Sequence, residues 1–278
     1  MSKKIEVLEV GDVRFLTTHP TLALVARTLS DSLASVSKSF GPVDIWLGAH
    51  RTPRVPRTSG RRLVVVQTEQ ILDVDGRQID TRMTLRRIAR LALRADLFVE
   101  WNPHNRAFYG VLPRLLPRRF LFGPYVFPSD TRTQTPGEGL SFVGHVTPER
   151  RAKLENFPDV RCLPTKSDIE EIDRTIAAGA AMLNLHAMPG TYSEVPRVLL
   201  AYLAGKPLVS EELAPPFSAG HSYLLPDAPR TPEALAQVWQ GLNTVAARYP
   251  ITEMLRSRSR RVPADHDGNM ARLAARKT

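Results

Sequence analysis

Residues 181–212 read AMLNLHAMPGTYSEVPRVLLAYLAGKPLVSEE, and the fold is decided in this stretch. It opens with an apolar run, 181–185, of the length of a buried strand. A turn through Pro189-Gly190 follows, then a helical segment to about Ala204, which Gly205 stops and Pro207 keeps from resuming. A second apolar run, 207–210, comes at once and ends in Glu211-Glu212. The order is strand, turn, helix, strand, with the turn facing the amides at the start of a helix. Those amides and the helix dipole favour a bound anion, most simply a phosphate. The candidate contacts are His186, Gly190, Thr191, Tyr192, Ser193, Glu194 and Arg197.

Two N-caps are open to this helix. With Thr191, the pattern Thr191-x-x-Glu194 is a capping box, and Glu194 only satisfies a helix-end amide. Pro196 would then cost an intrahelical hydrogen bond. With Ser193 as cap, Pro196 falls in the first turn and Glu194 is freed, so that Arg197 pairs with Glu194 or with a phosphate. Lys206, beside Gly205, reads as a solvated side chain.

Outward from this unit the same rhythm repeats. Apolar runs at 5–10, 13–16, 43–47, 63–67, 97–101 and 120–127 read as strands of the first half. Helical patterns run from Thr18 to about Phe40 and over 82–94, the latter with Met83, Leu85, Ile88, Leu91 and Ala92 inward. Residues 128–139, PSDTRTQTPGEG, are polar and turn-rich and mark a boundary between two units. Beyond it come strands at 141–144, 160–163 and 222–225, and helices from Thr147, over 167–178 and over 232–247. Strands alternating with helices predict an α/β fold with parallel sheets. The division expected is 1–128, 129–250 and a basic tail over 251–278.

A chain of 278 residues with 42% hydrophobic and 24% charged residues is long enough for a sizeable core. Its one cysteine, Cys162, excludes an internal disulfide framework and a cysteine-built metal site. No apolar run reaches membrane-span length and the start lacks a signal-peptide core, so a cytoplasmic location is expected. The net charge of +10 is unevenly placed. Residues 1–128 carry 20 Lys and Arg against 11 Asp and Glu; residues 129–250 carry 11 against 14; residues 251–278 carry 7 against 3. Either an arginine-rich composition decorates the surface, or the N-terminal half meets a polyanion.

Three motifs carry a resemblance. The segment through Glu194-x-x-Arg197 and Leu203-Ala204-Gly205-Lys206-Pro207-Leu208-Val209-Ser210 resembles the donor-binding segment of GT-B-fold glycosyltransferases of the small phage and bacterial "glycosyl transferases group 1" type. Gln67-Thr68-Glu69-Gln70 after an apolar strand, and Phe142-Val143-Gly144 followed by Glu149-Arg150-Arg151, are similar to the same group. The resemblance covers about residues 60–215. It implies two Rossmann-like domains in a GT-B arrangement, with the active site in the inter-domain cleft and a nucleotide-sugar donor (UDP- or another NDP-sugar). Many members carry two glutamates eight positions apart where this chain has Tyr192 and Leu200. That departure weakens what the resemblance implies about a retaining mechanism or ribose recognition.

Gly144 and His145, at a strand-to-helix turn, join the donor contacts, since a glycine there lets backbone approach a phosphate. Sugar transfer needs a base for the acceptor hydroxyl, and carboxylates and histidines suit that work. The candidates are His19, where many inverting GT-B enzymes hold a histidine, and Glu69, at the carboxyl end of a strand. Asp73-Val-Asp75 and Asp265-His-Asp267 spell a metal-holding pattern but read as ordinary turns, so no metal is expected. The acceptor expected for a basic N-terminal half is a polyanion such as hydroxymethylated-base DNA, held by Arg51, Arg54, Arg57, Arg61 and Arg62 on an open loop and by Arg86 and Arg90 on a helix. The alternatives are a carbohydrate or lipid-linked acceptor, or a nucleic-acid-binding protein with a degenerate, inactive transferase fold.

Overall fold

The computed structural model describes residues 5–18, 20–33, 36, 40–48, 55–73, 75–80, 83–164, 167–187 and 190–256. His19, Arg51, Arg54 and Asp265-His-Asp267 lie outside them. Two sheets form. The first takes β1 (Glu6–Val10), β2 (Val13–Thr17), β3 (Val43–Leu47), β4 (Arg62–Gln67), β5 (Leu97–Glu100) and β6 (Phe120–Phe122) in simple sequence order. β1 and β2 form an antiparallel hairpin turning on Gly11, whose φ of 55° suits a glycine. β2 to β6 are parallel. The second sheet has β7 (Leu140–Val143), β8 (Val160–Leu163), β9 (Ala181–Asn184) and β10 (Leu208–Ser210) in the order β10-β9-β7-β8, all parallel. The expected α/β class with parallel sheets is observed.

Strand alternation sorts the side chains of the first sheet. Phe15, Ile45, Val64 and Val66 face one side, with Leu22, Val25 and Leu29 of α1 (Pro20–Leu33). Leu16, Trp46, Val65 and Phe98 face the other, with Ile88, Leu91 and Ala92 of α2 (Leu85–Arg94). The α1 side is continuous with Val195, Val198 and Tyr202 of α6 (Val195–Leu203), so both sheets share one apolar core. The other helices are α3 (Leu112–Leu115), after a 3-10 segment at Pro103–Tyr109, α4 (Pro148–Leu154), α5 (Ile169–Ala178), α7 (Pro232–Arg248) and α8 (Ile251–Arg256).

Several expectations are corrected. Residues 251–256, read as the start of a basic tail, form α8, with Ile251, Met254 and Leu255 fully buried. The chain returns to the first sheet there: Ile251 N donates to Phe127 O at 2.7 Å, and the Arg62 guanidinium donates to Leu255 O and Met254 O. The strand at 120–127 ends at Phe122, and residues 222–225 make only isolated bridges. Leu85 is not inward: it opens α2 and is exposed. Lys206 is fully buried; its Nζ donates to Pro136 O at 2.6 Å and Thr135 O at 3.3 Å. The polar boundary segment 128–139 is thus clamped to the second sheet by a lysine.

Glu100 ends β5 beneath the sheet surface, accepting from the Tyr109 hydroxyl and, at 2.8 Å, from Asn102 N. Burial raises its carboxyl to about 8 from an ordinary value of 4.5. In that window the folded protein holds a proton that the unfolded chain has lost. Stability therefore falls as pH rises from about 4.5 to 8, by up to about 1.4 kcal/mol per pH unit. Glu100→Gln, which cannot ionise, should have the flatter melting-temperature profile between pH 5 and 8; parallel profiles would show that Glu100 is ionised in the fold.

Candidate active site

The carboxyl ends of β7, β9 and β10 gather a cationic cluster. Gly144 follows β7, and β9 runs into Asn184, Leu185 and His186. The chain then passes through Thr191 and Tyr192 into α6, whose N-cap is Glu194, neither of the candidates Thr191 and Ser193. Ser193 is instead buried, and the capping box with Thr191 does not form. Pro196 accordingly sits in the first turn, where its missing N–H costs nothing.

Glu194 is a non-glycine residue in the left-handed region, at φ 41° and ψ 33°. Such a conformation costs about 1–3 kcal/mol and persists where the surroundings hold it. Its carboxylate makes no cap hydrogen bond and turns to two guanidiniums. Arg197 Nη1 lies 3.1 Å from Glu194 Oε1, and Arg150 Nη2 lies 3.8 Å from the same oxygen. Arg197 also donates to Asn184 Oδ1 at 2.7 Å and to Leu185 O at 3.3 Å. A positive side chain in the first turn of a helix opposes the dipole, so Glu194 is what makes Arg197 tolerable there.

Arg150 was missed as a site residue, although the sequence signal was present in Gly144 and Glu149-Arg150-Arg151. It belongs to α4, capped by Thr147, and is 4% exposed. Its Nε donates to Leu185 O and its Nη1 to His145 O, each at 2.9 Å, and its guanidinium lies over the Phe142 ring. Burial, with Arg197 nearby, pulls its pKa down to about 10, which leaves it charged at neutral pH. A Cβ on Gly144 would stand 3.3 Å from Arg197 Nη2 and 3.1 Å from Phe142 Cζ. Glycine here lets the guanidinium approach the main chain.

His186 is 1% exposed. Its Nδ1 pairs with Gly190 O at 2.8 Å, its ring meets Tyr192 edge-on, and its Nε2 is buried without a partner. Burial lowers its pKa, so the ring is neutral at pH 7. The His186 backbone N–H donates to Glu211 Oε2, and Glu211 Oε1 accepts from Lys153 Nζ at 2.6 Å. Burial alone would raise the Glu211 carboxyl; Lys153 and the His186 amide outweigh it and hold it below its ordinary value. The Lys153–Glu211 pair cancels. Two guanidiniums against the single Glu194 carboxylate leave an excess of one positive charge beside the helix start.

The structure thus brings together Gly144, His186, Gly190, Tyr192, Glu194 and Arg197 of the expected set. His145 contributes its carbonyl to Arg150 while its side chain is exposed. Leu200 packs against the shared core. The first sheet meets this loop directly: Gln70 Nε2 donates to Thr191 O at 2.9 Å. Glu69, next to it, has its carbonyl held by the side-chain amides of Gln67 and Asn105, which fixes the turn at the carboxyl end of β4. Asp73 makes a tight turn, its Oδ1 accepting from Asp75 N and Arg77 N.

The expected acceptor arginines divide. Arg57 pairs with Asp96 at 2.9 Å and donates to Arg94 O. Arg61 pairs with Asp44 at 2.5 Å, and Arg14 holds the other side of that buried carboxylate. Arg62 is spent on α8. Val55 in the same loop is 1% exposed and anchors it, while residues 56–60 are exposed. Arg86 and Arg90 remain exposed on α2.

No protein-family model matches the sequence, and no curated protein matches it either. Among solved structures the chain is similar to accessory secretory protein 1, 2 and 3 of Streptococcus pneumoniae, at 11% identity and a TM-score of 0.37, over 85% of this chain and 50% of that one. It is also similar to AviGT4, a glycosyltransferase involved in avilamycin A biosynthesis, at 14% identity and a TM-score of 0.37, over 84% and 86% of the two chains. Similarity to TarM has 11% identity and a TM-score of 0.34, over 84% and 54%. The chain spans about half the length of the first of these structures.

Proposed function

We propose that this chain is a GT-B-type glycosyltransferase that moves a sugar from a nucleotide-sugar to a hydroxyl acceptor in the cleft between its two sheets. The observation that carries the reading is the Arg150–Glu194–Arg197 cluster at the start of α6, beside Gly144 and opposite the carboxyl end of β4. Two forked guanidiniums and a glycine-lined approach suit a diphosphate. In the transfer, the bond from the anomeric carbon to the diphosphate oxygen breaks and one to the acceptor oxygen forms. The acceptor proton passes to a base, and the nucleoside diphosphate leaves with its charge met by Arg150 and Arg197. Glu69, on the turn facing the donor loop, is the base we propose from the described residues; His19 is the other candidate. With two arginines at the phosphates, donor binding is proposed to need no metal.

For the acceptor, the described loop arginines of the expected DNA footprint, Arg57, Arg61 and Arg62, are paired with carboxylates and carbonyls. We therefore place a carbohydrate or lipid-linked hydroxyl first and DNA second.

The test is a thermal-shift series with the nucleoside diphosphates, with and without chelator, followed by nucleotide-sugar turnover. At a hundredfold excess over Kd, the matching diphosphate should stabilise the protein by about 2.7 kcal/mol, with no change on chelation. No shift with any nucleoside diphosphate would remove the donor site. A shift that chelation abolishes would return Asp73 and Asp75 as metal ligands. Binding without turnover would favour the degenerate-fold reading.

A further inference from the structure

α2 carries two different stripes on its solvent side. Ile88, Leu91 and Ala92 are buried against the sheet. At 100° per residue, Leu85, Ala89 and Leu93 fall along a line that flanks the buried face, and Arg86, Arg90 and Arg94 fall along the next line, opposite that face. Leu85 is 46% exposed and Leu93 60%. A helix whose only task is to cover a sheet has no need of leucines in water, and here they run next to arginines.

The neighbouring segment repeats the combination. Val111 is 62% and Leu115 70% exposed, with Arg114 and Arg118 exposed among them. Arg119 fastens this segment to the end of α2: its Nη1 donates to Leu93 O at 2.7 Å and to Ala95 O at 2.8 Å. Leu112 and Leu116 pack on the same apolar cluster as Ile88, Leu91 and Ala92, so the two sets stand on the same side of the sheet. The charge of this side is unopposed by its own elements, because the acids within 83–119 are Asp96 and Glu100. Asp96 is taken by Arg57 and by Leu63 N, and Glu100 is buried and protonated at neutral pH. The basic stripe borders a shallow hollow lined by Thr84, Arg86, Arg87 and Arg90.

We infer that the face formed by α2 and residues 111–118 docks the protein on an anionic lipid surface. Leucine and valine enter the acyl boundary, while arginines at the same depth meet headgroup phosphates. A nucleic-acid backbone would meet the arginines but leave Leu85, Leu93, Val111 and Leu115 in water. A second copy of this chain would set arginine against arginine. The contact is peripheral, since among the described residues no helix is long and apolar enough to cross a membrane. It does not depend on the transferase reading.

The experiment is sedimentation of the full chain with vesicles of phosphatidylcholine alone and with a third of phosphatidylserine. Wild type should bind the anionic vesicles at least about tenfold more tightly, and Arg86→Gln/Arg90→Gln should lose on the order of tenfold. Leu93→Ser/Leu115→Ser should also lose vesicle binding while keeping the wild-type melting temperature and nucleoside-diphosphate shift, because both residues are exposed and far along the chain from the donor loop. A chain that ignores anionic vesicles overturns the inference. So does a leucine pair without effect, or a short DNA duplex that binds through the same arginines more tightly than vesicles do; the last outcome restores a nucleic-acid surface. If the serine variant fails to fold, the arginine pair and the salt dependence of wild-type binding still decide.

Discussion

Arg197→Ala should weaken nucleoside-diphosphate binding about ten- to a hundredfold and lower stability by about 1–3 kcal/mol. The affinity loss follows from removing one charge-assisted contact, about 1.5–3 kcal/mol. The stability loss is limited because two of the three groups Arg197 serves keep other partners. Leu185 O still accepts from Arg150 Nε, and Glu194 keeps Arg150 at 3.8 Å. Asn184 Oδ1, in a fully buried side chain, loses the donor it has in Arg197, and that is the source of the stability loss. Arg150 differs. Its guanidinium satisfies Leu185 O and His145 O in a buried setting, so Arg150→Ala should damage folding and binding together. The pair is measured by titrating the diphosphate that gives the largest thermal shift, with melting temperature recorded alongside. An Arg197→Ala protein with unchanged affinity would show that the anion does not sit at the start of α6.

Gly241→Ala should destabilise the protein by about 1–3 kcal/mol or more, although alanine is the better helix former. Gly241 lies within α7, where the exchange would gain about 0.8–1 kcal/mol from propensity. A Cβ there, however, would stand 1.8 Å from the His221 carbonyl oxygen and 2.6 Å from its carbon. Those are backbone atoms of a loop tied down by Tyr223, whose hydroxyl accepts from Leu213 N at 3.0 Å, and by the Ser218–Ser222 turn. Neither partner can yield without moving the loop or the helix, which is the costly form of overpacking. A fall in melting temperature on the order of 5 °C is expected. A rise would mean that the 217–224 loop moves away from α7.

The sequence by itself determined the strands that are buried on both faces. Runs such as Val64-Val65-Val66 and Met182-Leu183 admit little else, and the proline and glycine around residues 189–207 confine the helix between β9 and β10. Local chemistry also placed Glu194 and Arg197 at one turn, since strand, turn and helix start are set within a dozen residues; Gly144 joins them only through the pairing of β7 with β9. What the sequence could not assign was the destination of long charged side chains. Arg57, Arg61 and Arg62 read as an open basic footprint, yet their partners Asp96, Asp44 and the end of α8 lie 17 to 193 residues away. Lys206 read as solvated, and tertiary packing buried it under the carbonyls of Thr135 and Pro136. Arg150 entered the site for the same reason, because β9 brings Leu185 O to it from 35 residues away. Even the N-cap fell on neither Thr191 nor Ser193 but on a glutamate in a strained conformation, held by Arg197 one turn on and by Arg150 from another helix. Apolar periodicity is written locally, in adjacent residues. Which carboxylate or carbonyl neutralises a given arginine depends on which segments the sheets bring side by side, and only the folded chain decides that.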